Sequence, residues 1–537
     1  MRTVREISFD LFRKLGLTTV VGNPGSTEEP FLAYFPSDFD YVLALQETSA
    51  VAIADGISQS LRRPVLVNIH TGAGTGNAMG AIVTAYLNKT PLIVTAGQQT
   101  REMLMIEPLL TNIDATMMAR PWVKWSYEPA RAEDVPAAFM RAYATALQPP
   151  AGPVYLSLPL DDWDKRMPEV DVFRTVASRQ GPDPARIKAF AERIDGSRNP
   201  VLVYGSDIAR SEAWDAGIAF AEKLGAPVWA APFAERTPFP ETHPLFRGAL
   251  PPAIGPLSKQ LAGHDLVVVI GAQVFRYYPY VAGATLPAGA TLLHVTDDPS
   301  VAAKAAVGDS LVSDAALALA ELTPRIAART RAASVPLRTS AASADRAATP
   351  LLPHAVLEVM RENTPDAFVL VEEAPSIVAD MQDVFRISRP DCFYTFASGG
   401  LGWDLPAAVG LALGEQASGR NRPVIALMGD GSFQYSLQAL YTGVQRKARL
   451  TVVVFDNQEY GILKEFAELE KTPNVPGLDL PGIDIVALGR GYGAQSRRVE
   501  TLDDLAAAYR AALAFEGVTV LVVPITRKLK PMMGLGG

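Results

Sequence analysis

Residues 424–461 read VIALMGDGSFQYSLQALYTGVQRKARLTVVVFDNQEYG. Two apolar runs, VIALM and LTVVVF, are separated by SLQALYTGVQRK, long enough for a crossover helix. Runs of this length and composition read as strands of a parallel sheet buried on both faces. Each run ends in an acid, Asp430 or Asp456, with a glycine or an asparagine beside it. Ligands of open α/β sheets sit beyond the carboxyl ends of the strands. Asp430 and Asn457 are 27 positions apart, one strand–helix–strand unit, so both side chains can reach one point. A carboxylate, an amide oxygen and a backbone carbonyl form the hard oxygen set that Mg²⁺ takes alongside phosphate oxygens. Gly429 and Gly431 let the backbone approach closely, and Ser432 is read as opening a helix whose amides favour an anion. GDGS alone also fits a helix cap and a turn. The second strand end, DNQEYG, at this distance favours a cradle for a cation and a diphosphate.

The same pattern runs through the chain. VLVNI, PLIVTAG, PVYLSL, PVLVYG, DLVVVIGA, TLLHV, AFVLVE and VTVLVVP are further strand-like runs alternating with amphipathic stretches. This is repeated α/β architecture, several sheets long. A polar seam near 165–197 and an Ala/Ser/Arg-rich seam at 327–349 divide it. The first and third segments each read as a free-standing α/β unit with a Gly-rich strand-to-helix turn, and the tail RKLKPMMGLGG reads as weakly ordered.

Composition narrows the function. The chain has 537 residues and a formal net charge of −8, mild for that length, which argues against a broad nucleic-acid footprint. No apolar run has the length of a membrane span. The charged, amphipathic start MRTVREISFDLFRKLG lacks the core of a signal peptide. A single cysteine, Cys392, rules out an intrachain disulfide framework and points to a reducing cytoplasm.

GDGS followed by DN resembles the diphosphate motif of thiamine-diphosphate enzymes. The resemblance implies that Asp430, Asn457 and the main-chain carbonyl of Glu459 bind Mg²⁺, with Ca²⁺ an alternative by supply, and that Gly429, Gly431, Ser432 and Tyr460 surround the coenzyme. It also implies a glutamate against the aminopyrimidine ring. Glu47, in YVLALQETSAVAIADG, stands at a strand end entering an Ala-rich helix, where a carboxylate removed from water can share the ring proton. Taken alone, Glu47 also fits a first-turn acid favourable to the helix dipole. FASGGLGWDLPAAVG resembles the segment that bends the coenzyme, Gly399 lending a carbonyl and Leu401 wedging between the rings. VEEAPSIVADM resembles a second diphosphate-facing loop, with Ser376 as donor. A Gly-rich loop before a helix and an N-cap serine are the plainer readings of those two stretches.

Which enzyme of this group is decided in the first segment. GNPGSTEEPFLAYFPSDFDYVLALQE, GTGNAMGA, PLIVTAGQQTREM and GPVYLSLPLDDWDK are similar to the benzoylformate decarboxylase family, and the likeness extends over essentially the whole chain. It implies three doubly wound α/β domains: pyrimidine-binding 1–180, central 181–340, and diphosphate-binding 341–537 with a short C-terminal tail. It implies Ser26 on the substrate carboxylate, His70 relaying protons, and Leu109, Leu110, Ile462, Leu463 and Phe466 lining an apolar acyl pocket. It implies a 2-oxo acid substrate, aromatic or branched, and a homotetramer whose active sites are shared between two chains, with neither nucleic acid nor membrane as partner. One departure stands out. The family's second histidine follows VFRY; here the stretch is VFRYYPY, and Tyr278 holds the place. An imidazole exchanges protons near neutral pH and a phenol near 10 does so poorly. The expected reaction is therefore decarboxylation to an aldehyde, and the alternative is carboligation or lysis of another acyl donor with weak decarboxylation. A plain nucleotide- or flavin-binding α/β protein, invited by GAGTG and VVIGAQVF, lacks the acid about twenty residues on that a ribose would need.

Overall fold

The computed structural model describes residues 1–329 and 343–528. The proposed boundary at 340/341 and the tail from 529 lie outside the described residues. Three six-stranded sheets carry the chain, and every pairing within them is parallel. The first runs in the order Asp40–Leu43, Thr19–Gly22, Val65–Ile69, Leu92–Gln98, Val154–Pro159, Ser126–Tyr127. The second runs Phe246–Ala249, Val228–Ala230, Pro200–Tyr204, Leu266–Ile270, Thr291–Thr296, Asp309–Val312. The third runs Phe393–Thr395, Val369–Glu373, Val424–Gly429, Leu450–Asp456, Val518–Pro524, Gln495–Arg498. All ten apolar runs singled out in the sequence are strands of these sheets, buried on both faces as a parallel sheet under helices requires.

Two expectations are corrected. The first and third units are not free-standing: one continuous core contains Val21, Val67 and Val94 of the first sheet together with Val371, Ala426 and Val454 of the third. The helices Glu47–Leu61 and Asp404–Ala417 join them. Their facing residues are so small that a Cβ on Gly410 would come within 2.0 Å of the Ile53 carbonyl oxygen, so the backbones touch. The central unit keeps separate cores. Second, Ser432 lies inside a helix and does not open one. The short helix Asp430–Phe433 is four residues long and starts at Asp430 with Gly429 at its cap, and the following helix begins only at Ala439. Among the described residues no helix is long and apolar enough to cross a membrane.

Candidate active site

Val424–Gly429 and Leu450–Asp456 are adjacent parallel strands, Gly429 level with Phe455, so Asp430 and Asn457 emerge side by side at one sheet edge. Asp430 is 4% exposed. Its carboxylate accepts from the backbone N–H of Gly431 at 2.7 Å and from that of Gln458. Its pKa is raised to about 6: burial and the neighbouring Asp456 carboxylate push it up, and the two backbone bonds only partly pull it down. Asp456 itself is engaged elsewhere, accepting from Arg498 at 2.8 Å, so of the two strand-end acids only Asp430 is left to a ligand. Asn457 Nδ2 and Ser376 Oγ lie 3.0 and 3.1 Å from where a Cβ on Gly461 would stand, so both loops converge on that glycine. A Cβ on Gly431 would meet the Tyr460 ring at 2.5 Å; glycine is what lets that ring lie over the turn. Among the described residues no group of three or more His, Cys, Asp or Glu side chains could hold a metal. A cation here would be held by one carboxylate, one amide and one carbonyl, Asp430, Asn457 and Glu459. An electron-rich buried acid without a cationic partner beside two neutral oxygens fits that group.

The first sheet builds a second cluster at its own carboxyl edge. Gln46 caps the helix Glu47–Leu61 by accepting from Thr48 N and Ser49 N, which sets Glu47 at the first turn. Glu47 is 6% exposed and accepts from Asn23 Nδ2 at 3.2 Å and Asn77 Nδ2 at 3.0 Å. His70 follows the strand Val65–Ile69 and caps the next helix without a side-chain cap bond, so its ring stays in the cleft. Its Nδ1 lies 2.8 Å from Glu28 Oε2. A carboxylate accepts, so Nδ1 donates and Nε2 presents a lone pair. Glu28 is 1% exposed and also accepts from the backbone N–H groups of Gly25 at 2.9 Å and Gly97 at 2.8 Å and from Thr27 Oγ1 at 2.8 Å. A Cβ on Gly25 would fall 2.0 Å from His70 Nδ1, so the turn bearing Ser26 closes on the imidazole only because that residue is glycine. Ser26 is exposed at the tip of this turn. Sequence reasoning missed Glu28, Asn23 and Asn77. The signal was the pair of acids after NPGST, yet nothing in the pattern says that Glu28 turns inward while Glu29 stays outside.

Tyr278 stands 5.0 Å, ring to ring, from Phe466, which brings the residue at the second histidine's place beside one of the expected pocket residues. The other four histidines are occupied: His243 faces Glu222, His264 faces the Asn199 carbonyl, His294 lies between Ser310 and the Ala272 carbonyl, and His354 faces Asp380. Ile462 and Leu463 flank the same helix start, Leu463 largely in the open. Leu109 and Leu110 are 87% and 37% exposed, and beyond them in the chain Asn112 sets its Oδ1 3.2 Å from a Cβ placed on Gly72. Among the described residues no hydrogen bond or ion pair joins the Ser26–Glu47–His70 cluster to the Ser376–Asp430–Asn457 cluster. Two clefts, of about 260 Å³ beside Lys89 and Arg210 and about 390 Å³ beside Arg5 and Tyr34, contain none of these residues.

Family descriptions match successive parts of the chain: "Thiamine pyrophosphate enzyme, N-terminal TPP binding domain" over residues 2–118, the central domain over 187–322, and the C-terminal TPP binding domain over 376–523. Benzoylformate decarboxylase of Pseudomonas aeruginosa is 43% identical over 534 residues, 99% of this chain and 100% of that protein. The crystal structure of benzoylformate decarboxylase from Polynucleobacter necessarius is 71% identical with a TM-score of 0.98, covering 99% of this chain and 100% of that one. The 4-hydroxybenzoylformate decarboxylase of Rhodococcus jostii RHA1 is 41% identical with a TM-score of 0.95, covering 98% and 100%.

Proposed function

The chain belongs to the thiamine pyrophosphate enzymes, in the benzoylformate decarboxylase family, and from that premise we propose how its own residues divide the work. The enzyme is a carboxy-lyase that decarboxylates an aromatic or branched 2-oxo acid without oxidation and uses thiamine diphosphate. Bound thiamine diphosphate supplies the nucleophilic carbon and the electron sink that this reaction demands. Asp430, Asn457 and the Glu459 carbonyl would hold Mg²⁺, with Ser376, Gly429, Gly431, Ser432 and Tyr460 around the diphosphate. Gly399 and Leu401 would face the two rings, and Glu47 would share a proton with the pyrimidine. Ser26 holds the substrate carboxylate at the turn tip. His70 moves the proton through Nε2, because Glu28 fixes its other nitrogen as donor; that pair is the observation that carries the reading. The domain assignment 1–180, 181–340 and 341–537 goes with these roles, as does a reducing cytoplasm for the lone, buried Cys392.

The two clusters are proposed to meet between copies, Glu47 from one chain and Asp430 from another, within a homotetramer. Supporting this, residues 103–118 expose Met103, Met105, Ile106, Leu109, Ile113, Met117 and Met118, more apolar surface than a lone copy ordinarily leaves in water. Benzoylformate is the proposed substrate, from the relatives' names and the aromatic Tyr278–Phe466 wall.

The test is product analysis with a panel of aryl and branched 2-oxo acids, thiamine diphosphate and Mg²⁺, with and without acceptor aldehydes. Stoichiometric aldehyde and CO₂ from the aryl acids is expected; CO₂ from none of them overturns the reading. Tyr278 favours a second outcome within the same assay. With no other imidazole free to return a proton, ligation to an acceptor competes better than it would beside a histidine. Tyr278→His should raise aldehyde release by about 10-fold or more, within the range of general acid help. An unchanged ratio of aldehyde to ligated product would remove Tyr278 from the reaction.

A further inference from the structure

Asp55 lies in the helix that begins with Glu47 and is fully buried. Among the described residues no cation touches it. Four neutral donors do: Thr90 Oγ1 at 2.6 Å and Gln59 Nε2 at 2.7 Å on Oδ1, Trp403 Nε1 at 2.7 Å and Asn88 Nδ2 at 3.0 Å on Oδ2. Burial raises its pKa and the four bonds pull the other way. A buried carboxylate of this kind is costly unless its bonds achieve something an apolar side chain would not.

The partners show what is achieved. Trp403 and Ala397 bracket the segment that contains Gly399 and Leu401. Trp403 reaches Asp55 directly. Ala397 N donates at 2.9 Å to Asn88 Oδ1, and Asn88 in turn donates to Asp55. Both ends of the segment therefore converge on one carboxylate of the first domain. The remaining contacts reinforce the ends and spare the middle. Glu373 accepts from the backbone N–H groups of Gly402, Trp403 and Asp404 at 2.7, 3.0 and 2.8 Å. Ser398 Oγ pairs with Thr84 Oγ1 at 2.8 Å, and Arg276 donates to the Ala397 carbonyl. Between them Gly399 adopts φ +74°, open to glycine, and Gly399 and Gly400 are exposed. The central domain meets the same point, since Gln59 Oε1 accepts from Arg236 Nη2 at 2.9 Å.

We infer that Asp55 is a positioning residue for the coenzyme segment: it holds Trp403 directly and Ala397 through Asn88, and so sets where Gly399 and Leu401 stand. The inference rests on the reading that those two residues face thiamine diphosphate. Asp55 touches no reacting atom; it acts through Trp403. Because it sits two helical turns below Glu47, the element that presents the activating acid also registers the segment that shapes the coenzyme.

Trp403→Phe removes only the indole donor and keeps the ring, and it serves beside Asp55→Asn should the latter fold poorly. Thiamine diphosphate uptake is measured by calorimetry at saturating Mg²⁺. Near-ultraviolet circular dichroism of the bound coenzyme is recorded at equal occupancy, and the melting temperature is followed separately. Trp403→Phe should melt close to the wild type, weaken uptake about 10–100-fold, as loss of an orienting partner does at ligand sites, and change the dichroism at full occupancy. kcat should fall with the KM for the 2-oxo acid unchanged. Wild-type uptake and dichroism in Trp403→Phe would overturn the inference, as would a loss of melting temperature with the coenzyme signal intact. A wild-type chain that takes up no thiamine diphosphate would overturn the coenzyme reading itself, and this inference with it.

Discussion

The two clusters are finished to different degrees. Around His70 and Glu47 the protein has supplied a partner for each group: Glu28 for the imidazole, Asn23 and Asn77 for the glutamate, backbone N–H groups for Glu28. Around Asp430 it has supplied two backbone N–H groups and, among the described residues, no cationic side chain. That carboxylate is buried beside a second acid, its pKa displaced upward to about 6, with no basic side chain among the causes of that shift. The first cluster is preorganised to act on a proton. The second we propose as an electron-rich hollow whose missing positive charge comes from outside. Preorganised groups lose little on binding and gain in the reaction step, whereas a hollow of this kind gains most from the ligand itself.

Substitutions on the two sides should fail differently. Asp430→Ala, the largest effect, should abolish Mg²⁺-linked uptake of thiamine diphosphate in calorimetry and all turnover with it, leaving the melting temperature near that of the wild type. His70→Ala should keep uptake and lower kcat about 10²–10⁴-fold, the ordinary worth of a positioned acid–base group. Glu28→Gln keeps the shape but removes the anion that orients His70; about 10–100-fold of rate is expected to go, with the pH profile of kcat altered and coenzyme affinity unchanged.

The smallest effect lies beneath the coenzyme segment. Asp404 is 0% exposed, and among the described residues neither of its carboxyl oxygens has a hydrogen-bond partner. Burial, with the nearby Glu373 and Glu372, holds it well above the usual carboxylate range, and burial raises Glu373 to about 8. Acids raised in the folded state contribute full stability below their unfolded value near 4 and lose it as pH climbs through the folded value. The melting temperature should therefore fall as pH rises through about 8. Asp404→Asn should remove the share of that fall that belongs to Asp404 and leave the share of Glu373, whose value is the one near 8. An unchanged pH dependence in the variant would show that Asp404 ionises elsewhere than supposed.

The strands were readable because a doubly buried parallel strand is nearly all apolar, a pattern that needs no partner to be recognised. The juxtaposition of Asp430 and Asn457, where a cation is proposed, was readable for the same reason: they are polar exceptions at the ends of two such runs, at a fixed spacing. The shared core was not, because Gly410 packing onto Ile53 looks in sequence like any Ala/Gly-rich helix. Glu28 was hidden because inward and outward acids in a turn look alike until the glycines at 25 and 97 bring their N–H groups to one of them. Ser432 misled because a serine after a glycine commonly caps a helix, while here Gly429 takes that place.

Each chain holds one finished cluster and one hollow, and the proposal that they complete each other across two copies can be tested by complementation. Glu47→Gln chains and Asp430→Ala chains, each inactive alone, are co-expressed with different tags and the mixed assemblies isolated. Sharing between copies leaves one intact site in every hybrid pair, so recovery to about half of wild-type activity is expected in purified hybrids. Hybrids as inactive as either parent would contradict a site built from two chains.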